Sequence, residues 1–291
     1  MSRRAFRVAY DGRPFYGFQR QPDVPTVEGA LLAALARLGV VDRDPPDGDR
    51  TPPGYAAAGR TDRGVSAVRQ TVAFDAPDWL APSAFNSELP GGVRVWAAAD
   101  APDGFHATHD AVRRTYRYHL HAPGADLGRA RAAAARLSGE HDVHNLTTDD
   151  RGPKTRRDLA LAVDRPDGPA GGEFLVLTVA SDGFPREFVR RAATVVRGVA
   201  VGDTDLDRVD EVLGDARLSG PRGVTPAAPG PLVLADVTYP GVDFAPDPDA
   251  VATLVEVFEE RRTEALARGR VLGDVVDGVD GADVADAVAS E

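Results

Sequence analysis

The sequence predicts an α+β protein of two similar halves, each a set of strands with helices packed on it. Residues 3–96 read strand, helix, strand, strand, helix, strand, a split β-α-β layout. From Val112 to Leu234 strands again surround helices, although the two stretches share no repeated sequence. With 43% apolar and 27% charged residues in a chain of 291, there is enough apolar material for a core under each set. The division falls at residues 1–104 and 105–240, and residues 241–291 form a helical and acidic extension.

Each element has a local reason. Residues 3–10 alternate, with Phe6, Val8 and Tyr10 on one face, as a half-buried strand does. Gly and Pro make residues 11–20 a loop, yet it carries Phe15, Tyr16, Phe18, Gln19 and arginine. It reads either as a loop folded back on the core or as a platform for stacked bases and phosphates. Thr26 caps a helix over Val27–Leu38, apolar at Leu31, Leu32, Leu35 and Leu38 and stopped by Gly39. Residues 42–53 are a polar, Pro-rich connector. Tyr55–Ala58 and Val68–Phe74 are apolar runs with strand character; in the second, Val68, Gln70, Val72 and Phe74 share a face. Pro82–Leu89 is a short helix, and Val93–Trp96 resumes strand.

In the second half, Val112–His121 is a strand with Val112, Tyr116, Tyr118 and Leu120 on one face, interrupted by Arg114. For Tyr118 the expected place is the core, with a tethered hydroxyl. Leu127–Leu137 is an Ala- and Arg-rich helix. His141 and His144 invite a metal reading, but no Cys or second His pair stands by to complete a site, and no metal is expected. Residues 154–157 are basic, either a phosphate contact or a solvated turn. Leu159–Val163 and Phe174–Ala180 are strands on either side of a turn at Gly168–Gly172. The helix that follows carries Arg186 and Arg190 one turn apart on one face, with Arg197 two turns on. Asp203–Leu213 is a further helix and Leu232–Leu234 a closing strand. Ala250–Arg268 is helical, then a low-complexity acidic tail starts at Val271.

Composition removes several chemistries. The chain has no Cys, which excludes disulfides, thiolate nucleophiles and Cys-ligated zinc. Lys154 is the single lysine among 34 basic residues, and residues 152–155 lack the glycine spacing of a Walker-type phosphate loop. The N-terminus has no apolar targeting segment and no run reaches the roughly 18 apolar residues of a membrane span, so a cytoplasmic protein is expected. Net charge is −11, but it is unevenly spread. Residues 203–291 hold 20 acids against 7 arginines, while residues 1–202 hold 25 acids against 27 bases. The earlier part is therefore free to present arginine to phosphate. An Asp-rich, Lys-poor chain with much Ala and Val has the composition of a halophile protein, a matter of solubility and not of fold.

The stretch around which the chain is organised is Gly59-Arg60-Thr61-Asp62-Arg63-Gly64-Val65-Ser66-Ala67, a tight loop between two strands. Gly59 and Gly64 tolerate positive φ, so the loop can be sharp and a partner can come close to its backbone. One carboxylate, Asp62, stands at its apex between the guanidiniums of Arg60 and Arg63, which offer phosphate oxygens a fork of donors. By turn chemistry alone this is also an ordinary polar hairpin tip.

Residues 59–67 resemble the signature loop of the TruA family of tRNA pseudouridine synthases, with Arg63 and Ser66 standing where the family usually has a small residue and a His. Residues 10–19, Phe105-His106-Ala107, Phe188-Val189-Arg190 and residues 225–234 resemble further motifs of that family, in family order. The resemblance spans about residues 5 to 240. It implies the pseudouridine synthase fold, two ferredoxin-like halves forming a mixed sheet with a cleft between them. It also implies Asp62 as the catalytic carboxylate, Arg190 as its partner, and Tyr116 close to the target base. Arg60, Arg63, Phe18, Gln19, Phe105 and His106 become expected substrate contacts. The implied partner is tRNA, in its anticodon stem-loop around positions 38–40, bound by a homodimer without any cofactor. Two rivals use similar residues. A non-catalytic RNA-binding module is disfavoured by an anionic group at the centre of a phosphate-facing loop. An RNA glycosylase would admit water to the cleaved sugar.

Overall fold

The computed structural model of the chain describes residues 1–44, 51–167 and 173–280; the turn expected at Gly168–Gly172 lies outside them. The first half runs β1 (Ser2–Tyr10), α1 (Val27–Arg37), β2 (Ala56–Ala57), β3 (Ser66–Ala76), α2 (Pro82–Asn86) and β4 (Val93–Asp100). The second runs β5 (Arg113–His121), α3 (Leu127–Leu137), β6 (Gly139–Asp142), β7 (Arg156–Asp164), β8 (Phe174–Ser181), α4 (Phe188–Val201), α5 (Asp207–Leu213) and β9 (Leu232–Thr238). A short edge strand, β10 (Ala245–Pro246), and a long helix, α6 (Pro248–Asp280), follow.

The ten strands of the described residues join one mixed sheet, in the order β10-β4-β1-β3-β9-β5-β8-β7-β6, with β2 also on β3. Two ferredoxin-like sets are visible in that order. β4-β1-β3-β2 and β9-β5-β8-β7 each place the first strand between the last and the third, as a split β-α-β unit requires. The seam is the parallel pairing of β3 with β9, Ser66 opposite Val233 and Ala67 opposite Leu234, whereas the other pairings are antiparallel. Since β3 begins where the Asp62 loop ends, the seam fixes that loop between the two sets.

Each set has its own core. Phe6, Phe74 and Phe85 meet under α1 and α2, with Phe6–Phe74 centroids 5.1 Å apart and Phe85 edge-on to Phe6. Leu120, Leu137, Leu177, Val196 and their neighbours fill the space under α3 and α4. The cores exchange residues at the seam. Val65, from the first set, packs in the second core, Leu234 and Val237 of β9 pack in the first, and Tyr116 touches both.

The structure departs from the sequence pattern in several places. Arg186, expected one turn from Arg190 on the same helix, lies in the turn before α4. Val68 is 47% exposed although alternation put it with Gln70. The pairing of β1 with β3 shifts between Val8–Gln70 and Tyr10–Ala67, and this bulge reverses the side-chain phase, so Ala67 turns inward instead. Val112 lies before the strand and is exposed. Arg156 and Arg157 belong to β7 rather than to a turn before it. The acidic stretch from Val271 continues α6 as helix to Asp280. No proline interrupts it after Pro248, and its glycines weaken a helix without stopping it. The start of α6 is well specified, because Asp247 Oδ1 accepts the N–H groups of Asp249 and Ala250 and Pro248 needs no partner. Among the described residues no helix is long and apolar enough to cross a membrane.

The late concentration of acids has a stability consequence. At a net charge of −11, self-repulsion acts until salt shortens the Debye length to about 3 Å at 1 M. The thermal midpoint should rise from low to molar KCl. A midpoint that stays level or falls over that range would sink the halophile reading.

Candidate active site

The Asp62 loop is held on every side except that of Asp62. Gln70 Nε2 donates to Gly59 O at 2.7 Å, fixing the loop's entry. Thr61 is buried, its hydroxyl 2.8 Å from the Tyr10 hydroxyl and its carbonyl accepting from Phe18 N at 3.0 Å. Val65 N–H closes back on Asp62 O at 3.1 Å, with Gly64 at φ +81 making the turn. Ser66, in the place of the expected His, accepts the Gly12 N–H on its hydroxyl at 3.1 Å. That bond ties the loop of residues 11–20 to the Asp62 loop.

The two loops also touch backbone to backbone. A Cβ on Gly12 would lie 2.0 Å from Val65 O, and Gly17, at φ +104, faces Thr61 O. Gly12→Ala should therefore cost about 1–3 kcal/mol of stability through overpacking. It should also reduce activity beyond the unfolded fraction, because relief comes by pushing the Asp62 loop away. Thermal melts and initial rates on the same sample test this; full activity at an unchanged midpoint would contradict the close approach.

Arg190 reaches Asp62 from the opposite half. It stands in the first turn of α4, whose buried face is Phe188, Ala192, Val195, Val196 and Val199. Its Nε donates to Ala227 O at 2.6 Å and its backbone carbonyl accepts from Ala227 N at 3.1 Å. The fork that remains points Nη1 at Asp62 Oδ2, 3.4 Å away. The Arg190 side chain is 14% exposed and Asp62 45%, so a sheltered cation meets a carboxylate that stays open to a ligand. Glu187 Oε1 lies 3.8 Å from the same Nη1, a longer approach than that of Asp62, and Glu187 binds Arg191 more closely at 2.7 Å.

These groups line a cavity of about 640 Å³. Its apolar side is Val65, Tyr116, Phe184 and Leu232. Tyr116 lies edge-on to Phe184 at 5.4 Å, and Phe184 stacks on Phe188 at 5.9 Å. Burial pushes the Tyr116 hydroxyl up to about 12, with Arg114 opposing and the charge of Asp62 adding, so it keeps its proton near neutrality. Its polar side is Arg60, Arg63, Arg186, Gln19 and Gln21. Arg63 lies 4.1 Å over the ring of Tyr16, which is 41% exposed at the rim. Arg60 is exposed beside Asp62.

Not every residue singled out in the sequence comes here. Phe18 borders the cavity but is fully buried, its ring 6.2 Å from Tyr10, because its N–H and C=O pin the loop to Thr61 and Glu28. Tyr16 is the ring that the loop of residues 11–20 presents. Phe105 is packed in the first core, 5.2 Å from Tyr239, and His106 lies on His109 at 4.2 Å; neither lines the cavity. Tyr118 is a core tyrosine with its hydroxyl donating to Ala228 O at 2.8 Å. Sequence reading missed Phe184 and Glu187. Phe184 follows Asp-Gly at a strand's end, a weak signal, and Glu187 gave none.

A family described as tRNA pseudouridine synthase matches residues 133–240. The chain is 52% identical over 285 residues to tRNA pseudouridine synthase A of Haloarcula marismortui, covering 95% of this chain and all of that protein. It is 54% identical over 272 residues to the Natronomonas pharaonis protein of the same name, 93% of this chain and 97% of that one. It is 36% identical over 275 residues to that of Thermococcus kodakarensis, again covering 93% and 97%. With such identity over nearly its whole length, the chain belongs to the tRNA pseudouridine synthase A family.

Proposed function

We propose that the chain isomerises uridine to pseudouridine in tRNA with Asp62 as its catalytic carboxylate and Arg190 as the group that aims it. The observation that carries this is the 3.4 Å approach of Arg190 to Asp62 across the seam, in the lining of a largely polar cavity with one apolar patch. The reaction breaks the bond between C1′ and N1, turns the uracil, joins C5 to C1′ and moves the C5 proton to solvent while N1 takes one up. Atoms and charge balance without an oxidant or a second substrate. A carboxylate must stand beside the sugar, and the freed uracil must stay put with water kept out. Asp62 supplies the first, as nucleophile or general base. Tyr116, Phe184, Leu232 and Val65 supply a wall against which uracil can lie. Arg60 holds the vacated stack while the nucleotide is turned out, at a cost of a few kcal/mol. Arg63 and Tyr16 take the neighbouring phosphate and base.

The substrate segment is the anticodon stem-loop around positions 38–40, acted on by a homodimer in the cytoplasm. The test is to map pseudouridines, after incubation with the pure protein, in transcripts of complete tRNA. New pseudouridine in the anticodon arm supports the reading. A free uracil product would make the chain a glycosylase, and bound but unchanged tRNA would make it a binding module.

A further inference from the structure

A larger groove of about 1450 Å³ adjoins the Asp62 cavity. The segment 225–231 is the wall between them. Ala227 O holds Arg190 in the first, while Thr225, Ala228 and Pro231 line the second. The floor of the groove is the outer face of β5 at His119 and His121 beside the flank of α4 at Thr194 and Arg197. Its roof is α6, at Arg262, Ala265 and Leu266. α6 packs on α2 and β4 near its start, with Ala250 buried, and from Thr263 to Gly278 it is exposed on all sides. The helix therefore overhangs the groove.

The charge of the groove runs against that of the chain. Its charged lining is Arg13, Arg197, Arg208 and Arg262 against Asp203, in a protein of net charge −11. Three of the four arginines come from the stretch α4 to α6, where acids otherwise prevail. Along α6 the bases cluster as Arg261, Arg262, Arg268 and Arg270, with Glu264 among them and Arg261 reaching Asp11 at 3.3 Å, between acids at 256–260 and at 274–280. Arg13 is held by a bidentate fork on the buried carboxylate of Asp11, at 2.7 Å, whereas the pairs of Arg197 and Arg262 are exposed ones. Arg197 meets Asp203 at 3.6 Å and Arg262 meets Glu259 at 3.1 Å, with side chains 46% and 66% exposed on the arginine side. Such pairs contribute little, and a phosphate offers the same guanidinium a stronger, charge-assisted fork.

We propose that this groove is a second RNA-binding surface, through which one strand of the substrate tRNA flanking the target passes, its phosphates held by Arg197 and Arg262 beneath α6. The proposal rests on the Asp62 cavity acting on tRNA, and gives α6 a share in binding it. Arg208 is held by Glu211 and Arg222 O and acts as a fixed positive charge.

The test is the full chain carrying Arg197→Ala and Arg262→Ala together, with tRNA binding titrated over a range of KCl. Both side chains are exposed, so the thermal midpoint should match the parent's. Affinity should fall about tenfold at fixed salt, and the slope of log K against log salt should shrink by about two, one for each phosphate no longer neutralised. The loss in activity should appear in KM. Arg37→Ala, which removes one positive charge outside both cavities, should change neither affinity nor slope by as much as twofold. Parent-like affinity and slope in the double variant would overturn the groove while pseudouridine formation continued. A parent protein that binds tRNA with this arginine dependence but makes no pseudouridine would overturn the reading of the Asp62 cavity and leave the groove standing.

Discussion

Asp62→Asn should stop pseudouridine formation, by on the order of a thousandfold or more, while the protein stays folded. Asn has nearly the shape of Asp, and the loop is pinned by Gln70, Tyr10, Phe18 and Ser66 rather than by the carboxylate. Removing one negative charge from a phosphate-facing loop should leave tRNA binding unchanged or slightly tighter. Nothing nearby can replace the lost chemistry. Two other carboxylates border the cavity, which the sequence did not reveal, but both are engaged: Asp149 accepts the Arg186 N–H at 2.9 Å and Glu187 holds Arg191. The measurement is tritium release from tRNA labelled at uridine C5, beside a binding titration. Release at near the parent's rate would reduce Asp62 to a turn residue.

Arg190→Lys should lower turnover by about a hundredfold with much less change in affinity. Arg190 makes two contacts in different directions, Nε to Ala227 O and Nη1 to Asp62, and a rigid planar fork can satisfy both at once. A lysine ammonium keeps the charge but reaches one partner at a time. If it follows the Ala227 carbonyl, Asp62 loses its orienting cation, and a misplacement of about 1 Å is enough for a loss of this size. Single-turnover rates at saturating tRNA, compared with the dissociation constant, separate the two effects. Equal losses in both would make Arg190 a phosphate contact instead.

Much of this protein was legible without coordinates because the relevant forces are local. The strand character of residues 3–10, the Thr26 cap and Gly39 stop of α1, and the positive φ of Gly64 each express a backbone preference that neighbouring residues enforce, although β1, set between β4 and β3, is buried on both faces from Ala5 to Tyr10 rather than half-buried. The candidate site was not legible in that way: by turn chemistry and helix spacing, residues 59–64 are also a polar hairpin tip and the arginines near Arg190 a solvated face, and only the family resemblance singled out Asp62 and Arg190. The failures were equally physical. Val68 was misplaced because a bulge is set by the partner strand, which alternation along a single strand does not record. Phe18, Phe105 and His106 were expected at the substrate from the family resemblance; Phe18 borders the cavity as a buried ring and the other two lie outside its lining, a placement set by whether a loop folds inward or outward.

By itself, then, the sequence determined most of the longer strands and helices and which carboxylate stands at the apex of a sharp loop, since those depend on residues within a few positions; the short edge strands β6 and β10 and the continuation of α6 past Val271 escaped it. Only the tertiary structure decided that β3 and β9 pair in parallel, bringing Arg190 within 3.4 Å of an aspartate 128 residues away. It alone decided that Tyr16 rather than Phe18 faces the cavity, and that α6 hangs over an arginine-lined groove. These are contacts between distant segments, fixed by which apolar faces share a core, and no local spacing encodes them.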